Sequence, residues 1–298
     1  MSDQPSGQPV GKPVGKPVRK PEGLFARLSR ARPTKPGEIY GVPGQGNTLW
    51  LSLGSIAFFF GVWWLVTAMG WVKPLFVPPP MAIVAKFIDI WNDGFTGTPF
   101  LEHVWISTLR VFGAFALACI IGLPLGLAMG MSPVMSGIFD PPIEFYRPIP
   151  PLAYLPLMII WFGIGETSKV LLIFLSVFAP VVLGARSGVK SAAIEQIHAA
   201  YSFGATRWQV MRYVILPSAM PEILTAMRIG IGFGWTTLVA AEMVAATKGL
   251  GYMVLTASQF LQTPVVILGI FIIAIIAFAF DMLVRMLERR LVPWKGRM

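Results

Sequence analysis

This sequence has few of the residues that disulfides, metal sites and water-soluble surfaces require. It contains one cysteine, Cys119, so no disulfide can form within the chain. Its two histidines, His103 and His198, are too few and too far apart in the sequence to propose a metal site. Only 13% of the 298 residues are charged, against about 25% in typical soluble domains. Because the missing charges leave long apolar runs, lipid must replace water as the solvent for much of the chain.

The N-terminal residues 1–47 differ from the rest in being rich in proline, glycine, lysine and arginine. Such a composition has little apolar surface to bury, so we predict a disordered basic tail. The tail lacks the apolar core of a secretory signal. Its GQPVGK segment is not a phosphate-binding loop, because Pro13 stands where a serine or threonine should follow Lys12. Nucleotide binding by this chain is therefore not expected.

Residues 48–298 are predicted to form an all-α, polytopic membrane domain. Roughly 20 apolar residues in a helix cross a bilayer. Six segments are predicted as transmembrane helices, and the third is short and interrupted by proline, as in helices that line a protein interior. The six are residues 49–71, 106–130, 151–165, 170–186, 221–246 and 264–283. Between them, 81–103 is predicted as a helix and loop at the membrane surface, 132–151 as a loop with short helical pieces, and 247–263 as a loop.

The positions of lysine and arginine predict how this domain is oriented. Basic residues gather in the N-terminal tail, in the last fourteen residues and in the loop 187–220. Six spans place these three regions on one side of the membrane, which the positive-inside rule identifies as the cytoplasmic side. The same distribution argues against nucleic acid as a partner, although the formal net charge is +10.

Small residues predict where helices approach each other closely. Gly122, Gly126 and Gly130 recur at spacings of four in the second span, which places them on one helix face. Such a face permits close packing of a second helix. Gly230 and Gly234 in the fifth span are interpreted as packing positions as well.

The segment 198–217, HAAYSFGATRWQVMRYVILP, is polar enough to lie outside the membrane, although apolar spans flank it. Gly204 predicts a break between two helices, and Pro217 predicts the end of the second helix before the chain re-enters lipid. Three apolar residues of the second helix recur at helical spacing and form a stripe: Trp208, Met211 and Ile215. An exposed apolar stripe flanked by arginines predicts the docking of a partner protein.

The same segment resembles the cytoplasmic loop shared by permease subunits of bacterial ABC importers. That loop reads EAA, three residues, Gly, nine residues and then I-x-L-P. Five positions match in register: Ala199, Ala200, Gly204, Leu216 and Pro217. His198 and Val214 stand where the family has glutamate and isoleucine. The resemblance covers roughly residues 50–296, and segments such as YRPIPPLAYLPLMIIWFGIGETSK, GWTTLVAAEMVAATKGLGYM and LERRLVPW are similar to the nitrate, sulfonate and taurine branch.

This resemblance implies a fold, a set of partners and a substrate class. The fold would be the type I architecture of ABC importer permeases. The chain would be one of two identical membrane subunits, joined by two cytoplasmic ATPases and an external binding protein. ATP would bind to the ATPases, so neither a cofactor nor enzymatic activity is expected on this chain. The similarity to taurine permeases implies taurine as substrate, with other sulfonates, nitrate and related small anions as alternatives.

In this family the loop forms the coupling helices that fit a groove on the ATPase. The residues expected to couple to the ATPase are His198, Ala199, Ala200, Gly204, Ala205, Trp208, Met211, Ile215, Leu216 and Pro217. Closure of the ATPases around nucleotide would move this loop and switch the pathway between inward-facing and outward-facing states.

Polar residues of the fifth span are candidates for the substrate pathway. Arg228 and Glu242 lie about 21 Å apart on one helix face, too far to pair with each other. Intramembrane charges usually face the interior. Glu242 is interpreted either as a contact for a cationic group or as a structural residue. Arg228 is interpreted either as an attraction for a sulfonate or as a side chain that snorkels to the interface. Three further candidates lie between them: Trp235, Thr236 and Thr237.

Two other classes of protein are weighed against the importer. A secondary transporter driven by an ion gradient needs intramembrane acidic groups for coupling. Glu242 alone is weak evidence for such a mechanism. An intramembrane enzyme needs paired carboxylates, metal ligands or a nucleophile with its base, and no such set stands out in the sequence.

Overall fold

The computed structural model describes residues 49–292. The predicted tail, 1–47, lies outside this range, as do residues 293–298. Within the described range the chain is helical, and a single bridge between Phe95 and Thr98 is the nearest feature to a β-strand. The all-α class predicted from the sequence is confirmed. The described residues divide after Met69 into two units.

The described part of the first unit is one helix. Helix α1 spans Leu49–Ala68 and contains no charged residue. Its 20 residues are enough to cross the hydrocarbon core of a bilayer. The first predicted span, 49–71, is therefore confirmed in position.

The second unit contains the remaining helices. Its long helices are α3 (Phe100–Met131), α6 (Glu166–Lys190), α9 (Leu216–Ala245) and α11 (Thr263–Leu291). The shorter ones are α2 (Pro80–Asp93), α4 (Pro133–Tyr146), α5 (Leu155–Phe162), α7 (Ile194–Ser202), α8 (Arg207–Val210) and α10 (Leu250–Gln259). A 3-10 turn, Pro151–Tyr154, precedes α5, and a π-helical turn, Met211–Ile215, joins α8 to α9.

Five helices between residues 49 and 292 are long and apolar enough to cross a membrane: α1, α3, α6, the continuous α8–α9 and α11. The third predicted span, 151–165, is shorter. It consists of the 3-10 turn of 4 residues and α5 of 8 residues. At 1.5 Å per residue, α5 covers about 12 Å of a hydrocarbon core roughly 30 Å thick. No single helix therefore makes the third crossing.

Helices α3 and α6 nevertheless run in the same direction. At one end Arg110 of α3 binds Glu166 of α6, and at the other end Gly130 of α3 packs against Val189 of α6. Two consecutive long helices can be parallel only if the chain between them returns to the end where the first began. The segment 132–165 must therefore pass back along the bundle.

This return is made in two helical pieces. Ile143 of α4 packs beside Val182 of α6, whereas Met158 of α5 packs beside Leu172, ten residues earlier on α6. The segment thus moves antiparallel to α6, by roughly 15 Å between these two contacts. Prolines between α4 and α5 interrupt it, because proline cannot donate a backbone hydrogen bond. The interruption predicted from the sequence is confirmed, although the pieces have other boundaries.

Helix α6 packs between α3 and α9 because glycines on both neighbours let it approach. Gly122, Gly126 and Gly130 of α3 all face α6, where an added Cβ would contact α6 atoms. Gly230 and Gly234 of α9 face Val177 of α6. The packing role predicted for these glycines is confirmed. Substituting larger residues at these sites would force the helices apart.

Several predicted boundaries were wrong. The predicted loop 247–263 contains α10, whose Leu250, Met253 and Ala257 are buried. Their spacing of three and then four residues is helical, so packing on one face stabilises a helix in this stretch. The segment 132–151 was predicted as a loop with short helical pieces, and most of it is one helix, the 14-residue α4. Helix α3 also begins at Phe100, before the predicted residue 106, because Phe100 and His103 of its first turn are buried and packed within the unit.

Candidate functional site

The two ends of the second unit differ in chemistry. At one end, called the loop end here, residues 191–215 connect α6 to α9. At the other, called the cluster end, the charged side chains of Arg110, Glu166 and Glu242 meet. Most residues singled out from the sequence lie at one of these two ends.

At the loop end, helix α7 ends in a Schellman motif centred on Gly204. The N–H of Gly204 donates to the Tyr201 carbonyl at 2.9 Å, and the N–H of Ala205 donates to the Ala200 carbonyl at 3.1 Å. Gly204 has a φ of +81°, a conformation that costs an L-residue about 1–2 kcal/mol. An added Cβ would meet nothing within 4 Å. Glycine is therefore required by the backbone alone, and the predicted break is confirmed.

The next helix, α8, does not end at Pro217. Thr206 and Gln209 form a capping box at its start. The N–H of Leu216 then donates to the Met211 carbonyl, which closes a π-helical turn. Pro217 falls in the first turn of α9, and the wider π turn precedes the position where proline lacks a donor. The predicted helix end at Pro217 was wrong, since α8 and α9 form one continuous rod.

The loop exposes large aromatic side chains. Phe203 is 91% exposed and Trp208 is 67% exposed. Tyr213 is exposed as well, whereas Met211 and Ile215 of the predicted stripe are half-buried. Trp208 was predicted as a contact from its helical spacing, whereas Phe203 and Tyr213 were not. Their signal was available, because aromatic residues in a polar loop are typical of contacts with a partner protein.

The other predicted coupling residues line the same turn and rod. His198 and Ala199 are exposed, and the half-buried ones are Ala200, Ala205, Leu216 and Pro217. The loop thus combines an exposed α7, a fixed glycine turn and a rod that enters the bundle. The coupling role itself stays a prediction.

At the cluster end, Arg110 joins three long helices. Its guanidinium donates to Glu242 of α9 at 2.7 Å and to both carboxylate oxygens of Glu166 of α6 at 2.5 and 2.6 Å. It also donates to the carbonyl oxygen of Lys248, just before α10, at 2.8 Å. The Arg110 side chain is 6% exposed and that of Glu242 is 0% exposed. The cluster fixes the relative positions of α3, α6, α9 and the start of α10.

The Glu242 carboxylate is fully occupied by groups of the protein. Ser107 donates to both of its oxygens, at 2.8 and 2.9 Å, and the N–H of Gly251 donates at 2.8 Å. A Cβ on Gly249 would lie 2.5 Å from this carboxylate. The N–H of Gly249 also donates to His103 Nδ1 at 3.0 Å. These contacts favour the structural interpretation of Glu242, because no surface of its carboxylate is open to a substrate.

The remaining pathway candidates lie apart from each other. Arg228 forms ion pairs with Asp281 at 3.0 Å and Glu288 at 3.5 Å on α11, so Arg228 and Glu242 pair with separate partners. Of the other three, Trp235 and Thr237 are buried and Thr236 is exposed. The structure therefore does not bring the five residues together, and their role in a pathway stays a prediction.

A cavity of about 560 Å³ opens beside α6 and α9 instead. Its lining runs along α6 from Leu175 to Ser187, roughly 18 Å at 1.5 Å per residue. It thus extends from the middle of the unit toward the loop end. Polar residues in the lining are Tyr146, Arg147, Tyr154, Ser176, Ser187, Glu222 and Thr225. None of the five pathway candidates belongs to this lining.

Long apolar helices, closely packed through glycines and carrying buried charges near their ends, define a multi-pass membrane protein. Residues 122–293 match the family described as binding-protein-dependent transport system inner membrane component. The match includes the loop 198–217, α9 and the cavity-lining part of α6. The chain therefore belongs to this family of ABC transporter permeases.

Relatives of the chain differ in what they are named for. The taurine transport system permease protein TauC of Escherichia coli K12 is 54% identical over 83% of this chain and 90% of its own length. The putative aliphatic sulfonates transport permease protein SsuC of Bacillus subtilis is 34% identical over 85% of this chain and 91% of its own length. The riboflavin transport system permease protein RibX of Chloroflexus aurantiacus is also 34% identical, over 78% of this chain and 84% of its own length. Identity near one third is therefore compatible with unrelated substrates.

Proposed function

We propose that this chain is the membrane-spanning subunit of an ATP-driven importer that carries taurine across the inner membrane by alternating access. The observation that carries this proposal is the 54% identity with TauC over most of both chains. At 34% identity the named substrates already diverge between sulfonates and riboflavin. An aliphatic sulfonate other than taurine is the second candidate, supported by SsuC.

Two copies of the chain work with two ATPases and an external binding protein in this proposal. ATP is bound and hydrolysed by the ATPases, which dock on the 198–217 loop. Exposed Phe203 and Trp208 support a protein partner at this loop, because large exposed aromatic side chains are typical of interfaces. Both termini and the loop face the cytoplasm, which the basic residues in these regions support.

The continuous α8–α9 rod supports the coupling step. A movement of the ATPase at Trp208 is carried directly into α9, because no flexible link separates the two helices. Helix α9 lines the cavity through Glu222 and Thr225. Movement of the loop therefore changes the shape of the cavity and alternates its access.

Growth and uptake test the proposal together. A strain lacking this gene is expected to lose growth on taurine as sole sulfur source and to keep growth on sulfate, and the gene on a plasmid restores it. Ethanesulfonate and nitrate, offered separately, test the alternative substrates. In membrane vesicles, taurine uptake should require ATP and survive an ionophore that collapses ion gradients. Uptake that follows the ion gradient instead of ATP would overturn the importer mechanism.

A further inference from the structure

The cavity beside α6 and α9 contains a carboxylate without a partner. Glu222 lies in the second turn of α9 and lines the cavity. Its side chain is exposed, and within residues 49–292 it takes part in no ion pair or hydrogen bond. Other acidic residues of the long helices, such as Glu242 and Asp281, are paired with arginine. An unpaired charge within a candidate span marks a functional position.

The same cavity contains a cation with unused donors. Arg147 follows α4 and lines the cavity. Its only ion pair within the described residues is a contact of 3.3 Å from one nitrogen, Nη1, to Glu144 on the preceding turn. The other nitrogens of the guanidinium stay available. A planar guanidinium binds the paired oxygens of an anionic group such as a carboxylate or a phosphate, and a sulfonate offers the same arrangement of oxygens.

Hydroxyl groups supply further hydrogen-bonding capacity. Ser187 and Thr225 line the cavity from α6 and α9. Tyr146 lines it as well, and its hydroxyl is buried without a hydrogen-bond partner among residues 49–292. A buried hydroxyl without a partner is rare in native structures, so this one calls for an explanation. The cavity therefore contains a buried donor that no protein group satisfies.

We propose that this cavity is a binding site for a small zwitterion during transport, with its anionic group at Arg147 and its ammonium group at Glu222. This proposal rests on the proposed function and adds the residues that recognise the substrate. The cavity volume of about 560 Å³ falls in the range of small-molecule sites. Opposite charges in one cavity favour a molecule that carries both charges over an alkanesulfonate that lacks the ammonium group.

Transport by the complete importer in proteoliposomes, with its ATPases and binding protein, is the first test. Arg147→Gln and Glu222→Gln are each expected to lower taurine uptake at least tenfold, and Arg147→Lys and Glu222→Asp to recover part of it. Asp93→Asn is the matched control, because Asp93 at the end of α2 is an exposed carboxylate outside the cavity lining. The control should take up taurine at the wild-type rate.

Thiol labelling is the second test and does not depend on transport. The single cysteine, Cys119, is first replaced by serine to give a cysteine-free background. In the detergent-solubilised complex, taurine should slow the reaction of Thr225→Cys with a methanethiosulfonate reagent at least threefold, and ethanesulfonate should slow it less. The exposed Ser258→Cys on α10 should react equally with and without taurine. Adding Glu222→Gln should remove the protection.

The outcomes separate the two proposals. If the wild-type importer does not take up taurine, the proposed function fails. If it does, but Arg147→Gln and Glu222→Gln both transport within twofold of wild type and Thr225→Cys is not protected, the cavity is not the binding site. Protection by ethanesulfonate equal to that by taurine would overturn recognition of the ammonium group.

Discussion

The two ends of the bundle differ in which side chains they carry: charged residues are buried at the cluster end, and aromatic residues are exposed at the loop end. At the cluster end, buried Arg110 of α3 pairs with Glu242 of α9 and with Glu166 of α6, so three long helices are held in fixed positions. At the loop end, the aromatic side chains of Phe203 and Trp208 are exposed. The difference indicates that contacts within the chain stabilise the cluster end, whereas the loop end presents a surface suited to a partner protein. Substitutions at the cluster end should therefore affect folding, and those at the loop end should affect partnership.

The largest effect is expected from Arg110→Met. This change leaves Glu242 buried without its cation, which costs about 3–5 kcal/mol for a buried pair. Thermal unfolding of the detergent-solubilised protein measures the loss. Lys86→Met is the control, because Lys86 and Asp89 form an exposed pair of the kind that contributes about 0–1 kcal/mol. If Arg110→Met unfolds at the wild-type temperature, the cluster does not hold the helices.

Glu242→Gln sharpens the comparison by keeping the shape of the side chain. The loss of charged hydrogen bonds is expected to lower the free energy of unfolding by about 1.5–3 kcal/mol. Taurine uptake, normalised to the amount of folded importer, should stay within twofold of wild type. A collapse of uptake at unchanged thermal stability would assign Glu242 to the substrate pathway instead.

Trp208→Ala tests the loop end. Its side chain is exposed, so the unfolding temperature should not change. Binding of the ATPase, measured by co-purification and titration, should weaken by about 2 kcal/mol, the usual size of an interface hot spot. Trp105→Ala is the matched control, since Trp105 is 65% exposed on α3 near the cluster end. Equal ATPase binding by both variants would contradict docking at this loop.

Gly204→Val is expected to lower the free energy of unfolding by only about 1–2 kcal/mol, because only the φ of +81° is disfavoured. Its effect on function should be larger, as the turn fixes α7 against α8. Taurine-stimulated ATP hydrolysis should fall while insertion into the membrane is kept. Gly204→Asn should retain more coupling, because asparagine tolerates this conformation better than valine. If the importer carrying Gly204→Asn hydrolyses ATP no faster than the one carrying Gly204→Val, the backbone conformation at residue 204 is not the cause of the lost coupling.

Much of this fold was predictable because lipid imposes simple rules. Apolar length placed the long helices, and the spacing of Gly122, Gly126 and Gly130 predicted a close helix contact that the structure confirms. The break at Gly204 was predictable from the conformational freedom of glycine. These features depend on residues close together in the chain, so one sequence is enough to predict them.

What could not be predicted depends on contacts between distant residues. Arg110 and Glu242 are 132 positions apart, and no local pattern indicates that they pair. The cavity was missed for the same reason, since Arg147 and Glu222 meet it from separate helices. The helix end predicted at Pro217 was wrong because proline locally favours a helix end, whereas the π turn before Pro217 lets the helix continue.

In the proposed coupling step, the continuous α8–α9 rod acts as a lever. It spans 39 residues, roughly 58 Å at 1.5 Å per residue. Near one end Glu242 is pinned by Arg110, and near the other Trp208 projects from the loop, roughly 51 Å away. A tilt of about 10° around the pinned end would carry Trp208 through roughly 9 Å at that rise per residue, but Glu222 through only about 5 Å. In the proposed coupling, this geometry would reduce a large movement at the loop to a smaller displacement at the cavity wall.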